Sequence, residues 1–128
     1  MTNSSGVFPW TLTIPAGSLQ EWLFTFTIPA TGAPFPIITA PWEYVVRVTA
    51  TDLSSPLIYI TTNASAQGQI VVTSTAQVSS AQVNLTPAAT VGLAPGEYAH
   101  TLWMDPGTPS AYTWFTGNLL IAGNAQPG

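Results

Sequence analysis

The chain has 128 residues, a formal net charge of -4 and only 5% charged residues, against about 25% in ordinary soluble proteins. Arg47 is the one basic side chain besides His100, which argues against nucleic acid and anionic membrane surfaces as partners, since both are held by several Lys or Arg. Cysteine is absent, so there is no disulfide, thiolate nucleophile or thiolate metal site, and the length suits one domain with its own core.

In chain order, residues Met1 to Val7 read as a loose polar arm without the basic and apolar regions of a signal peptide. Phe8-Pro9-Trp10 leads into a short alternating strand, Thr11 to Ile14, stopped by Pro15. Trp10 reads either as a plug over an open end of the fold or as an arm entering a neighbouring subunit. Residues 1–18 thus form an N-terminal arm with one strand, 19–123 the main β-domain and 124–128 a tail. Leu19 to Ile28 alternates with Trp22, Phe24, Phe26 and Ile28 on the face expected to be core. Pro29 to Pro41 holds four prolines and is a long loop, whose Phe35, Ile37 and Ile38 would be costly to leave wet and make it a candidate contact surface.

Trp42 to Thr51 places Trp42, Tyr44, Val46, Val48 and Ala50 inward, and Arg47 outward near Glu43. Asp52 to Pro56 is a turn cluster, and short strands follow at Leu57 to Thr62, Gln69 to Thr73 and Val78 to Leu85. Thr86 is placed to N-cap a short helical turn through its hydroxyl, with Pro87 at the first helical position. A Pro95-Gly96 corner opens a strand with Tyr98, His100, Leu102 and Met104 on one face and Trp103 on the other. After an Asp105-Pro106-Gly107 turn, a closing strand ends at Gly117 to Ile121. About eight short segments with turn signals roughly every 8–12 residues spell an all-β antiparallel sandwich.

The chemistry available is sparse. One histidine builds neither a catalytic triad nor a two-histidine metal pair, and alternation puts His100 at the core or its edge beside a local acceptor. Glu21, Glu43, Asp52, Glu97 and Asp105 lie in no motif that pairs a general acid with a base, and Glu97 and Asp105 sit at turns where carboxylates are commonly structural. The expectation is therefore no enzyme, no cofactor and no metal. Five tryptophans are more than a small core needs. Trp103 and Trp114 read as lying on the faces opposite the inward Leu102/Met104 and Phe115/Leu119/Ile121 sets, where they would form an aromatic patch. That patch would cover a second sheet, form a subunit interface or stack on sugar rings beside Tyr112, Thr113 and Asn118.

The runs Leu85-Thr86-Pro87-Ala88-Ala89-Thr90, Leu93-Ala94-Pro95-Gly96-Glu97-Tyr98 and Gly117-Asn118-Leu119-Leu120-Ile121, preceded by Gly68-Gln69-Ile70-Val71-Val72, resemble the C-terminal half of small Ig-like virion proteins of tailed bacteriophages. These include domains similar to the N-terminal domain of upper baseplate proteins and related tail or capsid decoration proteins. The resemblance implies an Ig-like antiparallel sandwich of about 7–8 strands with a helical turn near residues 86–93. Its structural corner would be Thr86, Pro87, Pro95, Gly96, Tyr98 and Gly117. It further implies a multi-copy virion subunit assembled in the host cytoplasm, bound to capsid or tail proteins and to copies of itself. The candidate interface residues are Phe8, Trp10, Phe35, Ile37, Ile38, Trp103 and Trp114. The alternative is a module that binds host surface glycan through exposed tryptophans.

Overall fold

A computed structural model describes residues 8–39, 41–49, 56–105, 109 and 111–122. The expectations for the arm at 1–7, the side chain of Phe8, Ala50, the turn at 52–55, the turn at 106–108 and the tail at 124–128 lie outside the described residues. The strands are β1 (Phe8–Pro9), β2 (Leu12–Pro15), β3 (Gln20–Thr25), β4 (Trp42–Arg47), β5 (Ile58–Thr61), β6 (Gly68–Ser74), β7 (Ser79–Leu85), β8 (Gly96–Met104) and β9 (Tyr112–Ala122), with one helical turn, α1 (Pro87–Thr90), between β7 and β8.

They form two sheets. One runs β1-β9-β8-β4-β5, with β2 also on β9, and the other runs β3-β7-β6. The pairings are antiparallel except that β1 and β2 both lie parallel to β9. The fold is an all-β sandwich, and its partition of strands between sheets follows the immunoglobulin plan, with β5 added beside β4. Alternation produces it directly. Trp42, Tyr44 and Val46 of β4, Ile58 and Ile60 of β5, and Ala81, Val83 and Leu85 of β7 are buried while their neighbours face out. Trp22, Phe24 and Phe26 close the core from the smaller sheet, as their spacing requires.

Three expectations need correction. Val48 departs from the inward series that alternation predicts, because β4 ends at Arg47 and Val48 is 53% exposed beyond it. Thr86 stands at the N-cap position of α1 without a side-chain cap bond. Its hydroxyl instead donates to the Ala66 carbonyl and its N–H to the Gln67 carbonyl, so a long-range tie to the chain entering β6 wins over the local cap. Gly117 is no part of the corner around α1; it lies in the middle of β9, opposite His100.

The corner itself is held by Tyr98. At the start of β8 its hydroxyl donates to the Ala94 carbonyl at 2.6 Å, the back-bond made by a tyrosine corner. Tyr98→Phe removes one bond and is expected to cost about 1 kcal/mol, read as a lower denaturant midpoint at unchanged slope.

Candidate interaction surface

Two patches of exposed apolar surface are carried by rigid parts of the sandwich. The first is the proline-rich loop between β3 and β4. An isolated bridge pairs Thr27 with Pro34, the Phe35 N–H bonds the Phe26 carbonyl, and the Ile28 N–H bonds the Ala33 carbonyl. Core side chains then reach out to the loop. The Ser79 hydroxyl donates to the Phe35 carbonyl at 2.6 Å, and the Trp42 indole N–H donates to the Ile38 carbonyl at 2.8 Å. With its backbone so fixed, the loop turns Ile37 toward the core and leaves Phe35 and Ile38 exposed at 36% and 39%. Preorganised apolar groups of this kind lose little conformational entropy when covered.

The second patch is the outer face of the larger sheet. Glu43 of β4 stands opposite Trp103 of β8 on one side and Thr61 of β5 on the other. The Tyr59 hydroxyl, from β5, donates to a Glu43 carboxylate oxygen at 2.6 Å. That bond and the nearby charge raise the Tyr59 pKa from its usual 10.0. Trp103 and Tyr59 are both exposed there, so two aromatic rings flank one carboxylate. An open depression farther along this face is lined by Val48, Thr49, Glu97, Ala99 and Asn118.

The expected pairing of Trp103 with Trp114 in one aromatic patch is overturned. Register shifts between Leu102 and Trp103: Leu102 pairs with Phe115, whereas Trp103 pairs with Thr113. Trp114 is the extra residue of a β-bulge, which turns it into the core beside Phe115. It lies with its ring centroid 4.2 Å from that of Phe26, parallel to Trp42, with Phe35 edge-on and Tyr112 against it. Trp103 alone of the pair remains on the surface.

Trp10 is a plug. Its ring meets Trp22 and Phe24 edge-on, packs against Phe115 and stacks on His100. His100 is buried between them. Its Nε2 lies 2.7 Å from the Trp10 carbonyl and its Nδ1 3.0 Å from the Tyr44 hydroxyl. A carbonyl only accepts, so Nε2 carries the proton and Nδ1 accepts from Tyr44. The ring is neutral and fully engaged. Burial lowers the His100 pKa from 6.5, opposed in part by the bond to Trp10. The unfolded chain therefore binds a proton first, and stability is complete above about pH 6.5 and falls as pH drops through that value toward the lower native pKa. Thermal melts from about pH 8 down to about pH 5 should show this loss, and His100→Gln should flatten it.

Among the described residues no group of three His, Cys, Asp or Glu side chains comes together to hold a metal ion. No helix among them is long and apolar enough to cross a membrane. No protein-family model matches this chain, and no curated protein matches it.

Proposed function

We propose that this chain is a non-catalytic structural subunit of a tailed-phage virion, present in many copies as a tail or baseplate accessory or a capsid decoration protein. The observation that carries the assembly role is the loop from Pro29 to Ile38: core hydrogen bonds hold Phe35 and Ile38 at the surface. An apolar rim fixed in this way suits burial against a neighbouring protein, and a surface with one cation does little to repel neighbours. The virion assignment rests on the resemblance of the segments around Thr86, Pro95-Gly96 and Gly117 to phage proteins. Repetition on a symmetric particle would let weak single contacts add by avidity.

The test is attachment to particles that lack the protein, followed by light scattering. Saturating attachment to capsids or to tails supports the reading and tells the two positions apart, and Phe35→Ser with Ile38→Ser should weaken it. Binding to neither particle overturns it. A second reading, a host-glycan module, is favoured by one feature: the exposed Trp103 ring beside the Glu43–Tyr59 pair, which offers stacking and hydrogen bonding together. It predicts a saturable fluorescence change with host polysaccharide that is lost in Trp103→Ala.

A further inference from the structure

A sandwich of two open sheets has four edges, and among the described residues three of them are guarded or shortened. At the start of β5 the outward backbone is met by the side chain of Gln67, which accepts from the Tyr59 N–H and donates to the Leu57 carbonyl, as a neighbouring strand would. The β1/β2 edge carries Pro9 and Pro15, which lack the donor a new strand would need. Along β6, the Gln67–Thr86 and Thr75–Val78 bonds put the odd-numbered residues on the β7 side, so Gly68, Ile70, Val72 and Ser74 point away. Ser65 engages Gly68 in both directions and Ile70 is buried, which leaves two residues of that edge open.

The β3 edge is different. The Phe26 N–H bonds the Ser79 carbonyl, in register with the β3–β7 ladder, so residues 20, 22, 24 and 26 face β7 and Glu21, Leu23 and Thr25 face away. All three are exposed, Leu23 at 63%, and none has a backbone hydrogen-bond partner on that side among the described residues. No proline, bulge or lysine guards them.

We propose that the β3 edge is a self-association site, at which β3 of a second copy pairs antiparallel about a two-fold axis at Leu23. The sequence is self-complementary in that register. Leu23 meets the partner's Leu23, and Glu21 meets the partner's Thr25 on both sides, so no like charges face each other. Residues 21, 23 and 25 of each copy then exchange both backbone bonds and join the two three-stranded sheets into one. This deepens the assembly reading by naming one contact, and its test on the isolated chain leaves attachment to particles as a separate question.

The experiment is sedimentation equilibrium on the purified chain and on variants whose tryptophan fluorescence shows the native fold. The wild type should sediment as a dimer. Leu23→Lys and Leu23→Glu should each weaken it by at least about tenfold, because like charges then meet at the axis, and an equimolar mixture of the two should dimerise again. Thr25→Lys, set against the partner's Glu21, should tighten the dimer by about two- to tenfold, and Thr25→Glu should weaken it. A wild-type monomer at submillimolar concentration, or a dimer indifferent to charge at positions 23 and 25, overturns the proposal.

Discussion

Gly117→Ala is expected to destabilise the protein by about 2–5 kcal/mol and to lower its melting temperature by roughly 10 °C or more. The reason is not backbone conformation. A Cβ on Gly117 would stand 2.3 Å from the Trp10 carbonyl oxygen and 2.8 Å from that residue's carbonyl carbon and nitrogen. Those are backbone atoms, which cannot swing aside as a flexible side chain can. Gly117 continues the inward series of Phe115, Leu119 and Ile121, so the space its side chain would fill is occupied by the chain between β1 and β2. Moving that segment stretches the bond from His100 Nε2 to the Trp10 carbonyl and leaves a buried donor unmet. It also pulls the Trp10 ring from Trp22, Phe24 and Phe115. Gly92 is the control: nothing lies within 4 Å of a Cβ there, and Gly92→Ala should stay within about 0.5 kcal/mol of wild type. Urea unfolding of the two variants side by side decides it; equal midpoints would show that the Trp10 segment yields freely.

The same region shows what sequence patterning reaches and where it stops. Alternation placed Trp42, Tyr44, Val46, Leu102 and the bonded His100 correctly, because each lies in the β4–β8 ladder, whose register is unbroken, so side chains alternate between core and solvent. The parallel seating of β2 on β9 was not legible, since a four-residue strand carries no mark of its partner. Nor was the role of Gly117: the glycine is visible in the chain, but the backbone that fills its place comes from a segment 107 positions earlier, at Trp10. Of the candidate interface residues, Phe35, Ile38 and Trp103 are exposed and Ile37 packs against the core, and the loop that carries Phe35, Ile37 and Ile38 is marked by its prolines. Trp10 and Trp114 went inward. Hydrogen bonds that tie the loop to Ser79 and Trp42 depend on contacts across the sandwich, which no local pattern records.

Trp114→Ala should cost about 3–5 kcal/mol, the range for emptying a buried aromatic site, and so remove a large part of the stability of a domain this size. Its ring fills the space between Phe26, Trp42 and Tyr112 and supports Phe35 from below, so the cavity cannot close without shifting the loop that presents the apolar rim. Trp114→Phe is the sharper variant. The indole Nε1 is buried without a hydrogen-bond partner among the described residues, so phenylalanine removes volume together with an unmet donor. Its cost should therefore fall well below that of alanine, near about 1 kcal/mol, in chemical denaturation followed by tryptophan fluorescence. Equal losses for the two variants would mean that the indole donor is satisfied in solution. The distinction also governs how a binding experiment is read. Loss of a glycan response in Trp114→Ala would report a damaged core, whereas loss in Trp103→Ala, at a ring 36% exposed on an intact sheet, would report contact with the ligand.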